Sequence, residues 1–190
     1  MSLLINLPYK LRGESKMVQL VIVNGMPTSG KSTFVGYCLK SLGAFGREVS
    51  TVDFVKDVAT MCGWNGQKTP HDRKFLSDLK NLLTKWNDVP YRKVVECKER
   101  FERDLSDFDL SEVKAFLFVH SREPKEIERF KKEFGAITVL VRRESVESNE
   151  QSNSSDANVF NFKYDYVVNN NDGLKELNRQ AIGFVNLLKI

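Results

Sequence analysis

Short apolar runs alternate with amphipathic stretches along most of this chain. Val18-Gln19-Leu20-Val21-Ile22-Val23, Val49-Ser50-Thr51-Val52, Ala115-Phe116-Leu117-Phe118-Val119, Ile137-Thr138-Val139-Leu140-Val141 and Tyr164-Asp165-Tyr166-Val167-Val168 have the length and composition of strands. Between them the spacing turns helical. Phe75, Leu79, Leu82, Leu83 and Trp86 share one face, and Ile127, Phe130 and Phe134 follow Pro124, a residue suited to a first helical turn. Leu174, Leu177, Ala181, Val185 and Leu188 predict a terminal helix. All these periodic side chains are expected in the core. Strands alternating with helices predict an α/β domain on a parallel sheet.

Two segments break the alternation. Residues 53–110 carry more helix than one crossover needs, and residues 144–158 are polar, aperiodic and rich in Ser, Asn and Glu. No repeat or domain boundary is visible, so residues 17–190 read as one domain. Residues 1–16 read as an appended arm, from an upstream start or a vector, because Pro8 stops the first apolar residues too early for a signal peptide.

Composition narrows the class. A chain of 190 residues, 41% hydrophobic and 28% charged, can bury a sizeable core as one globular domain. The formal net charge of +4 suits a protein handling small polyanions but does not establish nucleic-acid binding, and none is expected. No apolar run approaches the ~20 residues of a membrane span, so a cytoplasmic protein with no membrane partner is expected; oligomeric state is left open. Cys38, Cys62 and Cys97 are odd in number, widely spaced and in helix-like segments. They read as reduced core or half-buried thiols, without zinc-ligand spacing.

The strongest chemical signal is Gly25-Met26-Pro27-Thr28-Ser29-Gly30-Lys31-Ser32, a complete G-x-x-x-x-G-K-[ST] loop between the first strand and the helical Thr33-Phe34-Val35. Its glycines let successive backbone N–H groups turn toward a phosphate, and the following helix adds the positive end of its dipole. Residues 25–33 are expected to hold ATP, with Lys31 at the terminal phosphates and the Ser32 hydroxyl on Mg²⁺.

In open α/β sheets ligands lie beyond the carboxyl ends of the strands, so the residues there are the remaining candidates. Asp53, after the second strand, could serve metal or acceptor, or act as N-cap of a helix over Phe54–Cys62. Lys68 and Arg73 belong to a basic cluster that could bind a second anion. Arg122 follows the third strand and can reach a phosphate. His120 stands where many P-loop enzymes carry the Walker B aspartate, and an imidazole does not replace a carboxylate on Mg²⁺. Arg142 and Arg143, at the root of residues 144–158, could clamp a transferring phosphoryl group, unless Glu144 and Glu147 hold them in a surface turn. Asn169-Asn170-Asn171-Asp172 could line a base pocket, with Asn170 and Asp172 as ATP contacts. The guanine-recognition lysine and a D-x-x-G after the third strand are missing, which disfavours a GTPase switch.

The phosphate loop, Asp53, Ser121-Arg122-Glu123-Pro124, Arg142-Arg143 and the segment Tyr164–Leu174 together resemble the nucleoside-monophosphate kinase group of P-loop enzymes, which includes deoxynucleoside-monophosphate and dephospho-coenzyme A kinases. The resemblance spans residues 17–190. It implies a five-stranded parallel sheet in the order 2-3-1-4-5, with 53–110 as the acceptor-binding region and 142–158 as a lid. It also implies γ-phosphoryl transfer from ATP to a nucleotide-like acceptor, Asp53 matching a position acidic in dephospho-coenzyme A and shikimate kinases. The acceptor patterns of guanylate and thymidylate kinases are absent, so the acceptor stays open. A kinase of another metabolite and a regulatory protein that senses ATP without turnover are the alternatives, the second favoured by His120.

Overall fold

The computed structural model describes residues 18–108, 114–147 and 158–189. Five parallel strands form one sheet: β1 (Val18–Asn24), β2 (Gly46–Ser50), β3 (Ala115–His120), β4 (Ile137–Arg142) and β5 (Tyr166–Asn169). Their order is β2-β3-β1-β4-β5, as the resemblance implies. β1 lies at the centre, Val18 opposite Ala115 of β3 and Val21 opposite Ile137 of β4.

The strands are apolar on both faces because helices cover both. Val21, Val23, Phe116, Phe118, Val139 and Val141 pack on α1 (Lys31–Leu42) and the terminal helix, named α7 here (Gly173–Lys189). Their alternates Leu20, Ile22, Leu117 and Val119 pack on α4 (Val89–Asp104) and α5 (Pro124–Phe134). Each fully buried Leu, Ile or Phe contributes about 1.5–3 kcal/mol, so these two clusters dominate the stability.

Three helices fill the described part of residues 53–110: α2 (Asp53–Met61), α3 (Pro70–Asn87) and α4. Thr69 and Asp72 form a reciprocal capping box at the start of α3, ahead of Pro70. The expectation that α3 lays a core face inward fails. No residue of α3 is fully buried, and Trp86 is 81% exposed. The physical reason is layering: α4 and α5 already occupy that face of the sheet, and α3 packs against α2 and α4 outside it. Leu174 is likewise exposed, whereas Leu177, Ala181, Val185 and Leu188 are buried as expected.

Smaller differences concern boundaries. β2 ends at Ser50, and Thr51-Val52 form the turn into α2; β5 begins at Tyr166, leaving Tyr164 to a side-chain role. Cys38 is buried, its thiol pushed up to about 12 by loss of solvent, and Cys97 is half-buried, but Cys62 is exposed just beyond α2. The polar segment opens with a single turn, α6 (Glu144–Glu147). Residues 148–157 of the expected lid and the arm 1–16 lie outside the described residues. Among the described residues no helix is long and apolar enough to cross a membrane, and no three His, Cys, Asp or Glu side chains cluster for a metal.

Candidate active site

The phosphate loop leaves β1 through Asn24, which is fully buried. Its Oδ1 accepts the Gly25 N–H at 2.8 Å, while its Nδ2 donates to the Tyr164 hydroxyl at 2.7 Å. That hydroxyl in turn donates to the Val159 carbonyl at 2.8 Å. Burial raises the Tyr164 pKa to about 12 and keeps the phenol neutral, against the opposing effect of the bond donated by Asn24. The loop is thereby tied at its root to the chain just ahead of β5.

Two glycines are dictated by close approach. At Gly25 a Cβ would stand 2.3 Å from the Val141 carbonyl oxygen, and at Gly30 it would stand 2.4 Å from the Asn170 amide nitrogen. Gly30 also holds φ at 101°, a region unfavourable to other residues. From Gly30 the chain enters α1 directly, the Phe34 N–H reaching the Gly30 carbonyl at 2.9 Å. The N–H groups of Lys31, Ser32 and Thr33 therefore precede the first intrahelical bond, where a helix receives an anion. The Ser32 and Thr33 side chains are exposed there. Lys31 is folded back, its Nζ donating to the Gly25 and Met26 carbonyls at 2.7 Å each.

The structure brings the strand-end residues to this loop in different degrees. Asp53 is the first residue of α2, with Val52 in the N-cap position, so the expected N-cap role is corrected. Its carboxylate turns back to the Ser50 N–H at 2.7 Å and pairs with Lys56 at 3.3 Å. His120 is half-buried at the end of β3, its Nε2 3.5 Å from a Glu48 carboxylate oxygen on β2. Burial is the main cause that lowers its pKa, and the Lys31 charge acts the same way, while Glu48 and Asp53 oppose them. His120 thus faces the loop lysine electrostatically, in the place where an acidic residue was missing.

Arg122 lies half-buried in the turn between β3 and α5, its backbone carbonyl accepting from Asn24 Nδ2 at 3.4 Å. Lys68 and Arg73 are exposed on either side of the α3 capping box. Arg142 meets Glu147 in a two-pronged pair, Nε to Oε1 at 2.9 Å and Nη2 to Oε2 at 2.6 Å, and lies 5.6 Å from the Phe160 ring centre. The pair raises the arginine's pKa and lowers that of Glu147. Arg143 beside it is exposed. Asn170 is nearly buried and its amide donates to the Ser29 carbonyl at 2.9 Å, whereas Asp172 is exposed just ahead of α7.

Sequence reasoning missed several residues. Asn24 and Tyr164 brace the loop, and a buried polar group ending an apolar strand was the available signal for Asn24. Thr51, Lys80, Ser121 and Glu126 form a polar cluster between the strand ends and the helices; Ser121 belongs to the motif around Arg122, and nothing in the local sequence sets the other three apart.

No family model and no curated protein matches this sequence. Solved structures do share its architecture. One, from Chloroflexus aurantiacus and described provisionally as a kinase, is 11% identical, with a TM-score of 0.50 over 91% of this chain and 97% of that one. A sugar kinase from Janibacter sp. HTCC2649 is 12% identical, with a TM-score of 0.49 over 90% of this chain and 96% of its own. Shikimate kinase from Bacteroides thetaiotaomicron is 11% identical, with a TM-score of 0.45 over 90% and 99%. At such identities the likeness is one of fold. The fold is a P-loop α/β sandwich, a five-stranded parallel sheet in the order β2-β3-β1-β4-β5 with helices on both faces.

Proposed function

We propose that this chain is a small-molecule kinase that transfers the γ-phosphoryl group of ATP to a nucleoside- or deoxynucleoside-monophosphate-like acceptor. The observation that carries this reading is the loop itself: glycines that tolerate no side chain, an exposed Ser32 hydroxyl, three helix-start N–H groups and a lysine resting on the loop's own carbonyls. In this reading ATP binding draws Lys31 from the Gly25 and Met26 carbonyls to the β- and γ-phosphates, and the N–H groups of residues 25–33 hold the phosphate oxygens. The oxygen donors fit Mg²⁺: Ser32 would bind it with phosphate oxygens and waters, and the ion would neutralise charge on the β- and γ-oxygens.

Asp53 then orients the acceptor or takes its proton. Arg122, Arg73 and Lys68 hold the acceptor's phosphate. Arg142 and Arg143 supply positive charge to the transferring group once Arg142 leaves Glu147. Asn170 and Asp172 flank the adenine side. The protein works in the cytoplasm in this reading. A kinase of a hydroxyl-bearing metabolite is the near variant of it.

A second reading, an ATP sensor without turnover, is favoured by one feature: a histidine paired with Glu48 where an acidic residue of β3 would serve the metal. A coupled assay with ATP and Mg²⁺ across the nucleoside and deoxynucleoside monophosphates separates the two. Turnover of one acceptor supports the kinase. ATP binding without turnover on that panel removes the nucleotide-acceptor proposal and leaves the sensor or another acceptor.

A further inference from the structure

The three segments carrying the candidate acceptor residues meet at one half-buried lysine. Lys80, in the middle of α3, places its Nζ 2.8 Å from Glu126 Oε1, in the first turn of α5; the two side chains are only 15% and 19% exposed. The other Glu126 oxygen accepts the Ser121 hydroxyl at 2.8 Å, and Ser121 is the residue next to Arg122. Lys80 Nζ also lies 3.4 Å from Thr51 Oγ1, in the turn that leads to Asp53. Thr51 and Ser121 are almost wholly buried. The Thr51 N–H reaches the His120 carbonyl at 3.2 Å, which joins the two turns directly beneath the lysine.

Such a cluster is a costly way to hold a helix. Two charges withdrawn from most of their water gain little net stability even when well paired, and an apolar pair of equal volume would often serve as well. What the pair adds is direction: an ammonium and a carboxylate meet in few geometries, whereas apolar surfaces slide. α3 buries no side chain completely, so its placement over the strand ends depends on directional contacts more than that of α4 does. Its far end shows the same device, since Asp88, the residue joining α3 to α4, pairs with Arg129 of α5.

We infer that Lys80 is the positioning residue of the acceptor site, setting the Asp53 turn, the Arg122 turn and helix α3 relative to one another through Thr51, Ser121 and Glu126. The inference rests on the kinase reading for what the site binds, and on the geometry alone for what Lys80 holds. Lys80 touches neither the phosphate loop nor the residues expected to hold ATP.

The test compares wild type with Lys80→Met and with the double variant Lys80→Met/Glu126→Leu. The single variant strands a buried carboxylate and can fail to fold. The double variant removes both charges but leaves the buried Ser121 hydroxyl without its acceptor, so its melting temperature should fall, though by less than that of the single variant. Hydrogen exchange should then quicken in peptides covering 46–58, 70–87 and 118–128, with ATP affinity within about twofold of wild type. With the acceptor found on the monophosphate panel, KM for that acceptor should rise at least about tenfold while kcat changes far less, and Lys80→Arg should recover most of the loss. Unchanged exchange in the 46–58 and 118–128 peptides overturns the inference, as does an unchanged acceptor KM. If wild type phosphorylates nothing on the panel, the nucleotide-acceptor reading fails separately, and the exchange comparison still decides what Lys80 holds.

Discussion

The side-chain amide of Asn170 donates to the Ser29 carbonyl at 2.9 Å, joining the end of the edge strand β5 to the phosphate loop 141 residues earlier. The same nitrogen lies 2.4 Å from where a Cβ at Gly30 would stand. One polar contact therefore both supports the loop and forbids a side chain beside it.

Gly30→Ala should destabilise the protein by about 1–3 kcal/mol from backbone strain alone, with the collision on Asn170 added. Asn170→Ala leaves a buried carbonyl without its donor, a cost of about 1–3 kcal/mol. The double variant should be less destabilised than the two single losses summed, because the collision is gone. Urea unfolding of all four proteins measures the coupling, and strict additivity would show that the contact does not exclude the side chain.

Lys31→Ala should abolish turnover and most ATP-induced stabilisation while lowering the stability of the free protein by about 1 kcal/mol, the worth of its bonds to the Gly25 and Met26 carbonyls. Saturating ATP at a hundred times Kd stabilises a protein by about 2.7 kcal/mol, a difference that melting curves resolve easily. A variant stabilised by ATP as strongly as wild type would remove the central claim about the loop.

Asp53→Asn preserves a side chain able to accept the Ser50 N–H but removes the charge. The Lys56 pair it breaks is at the surface, so stability should move by less than about 1 kcal/mol. Turnover should fall far more than ATP affinity. Equal kcat in variant and wild type would reduce Asp53 to the first residue of α2.

In the kinase reading, Arg142 has to leave Glu147 before it can meet a phosphoryl group. Arg142→Ala should lower kcat by at least about tenfold, while Glu147→Gln, which loosens the pair without removing the arginine, should leave kcat the same or higher. Steady-state kinetics of the two variants decide the matter. If Glu147→Gln is the more damaging of the two, the ion pair itself is the working arrangement.

His120 gives a pH signature. Its folded-state pKa lies below the ordinary 6.5 through burial and the Lys31 charge. The unfolded chain then binds the proton more readily, so the stability from keeping His120 neutral is complete above pH 6.5 and is lost as pH falls through the folded value. His120→Gln should flatten that acid loss. Urea midpoints at about pH 8 and about pH 5 for both proteins give the comparison, and parallel pH profiles would exclude His120 as a contributor.

By itself the sequence determined what depends on neighbours along the chain. A run such as Val18–Val23 can be buried on both faces, Gly25 to Ser32 can wrap an anion, and Pro124 can open a helix, because each property is local in backbone and spacing. It also marked the strand ends as the place to look for chemistry. Tertiary structure alone decided which charges are engaged and which apolar faces are covered. Asn24 and Tyr164 are 140 residues apart and meet only because folding brings the end of β1 beside the chain that leads into β5. Lys80 finds Glu126 through folding that no periodicity encodes, whereas Arg142 takes Glu147, a near neighbour that the sequence already offered as its partner. The face of α3 reads as core yet stays outside, because a helix's spacing records that one side is apolar but not whether another helix has already covered the sheet.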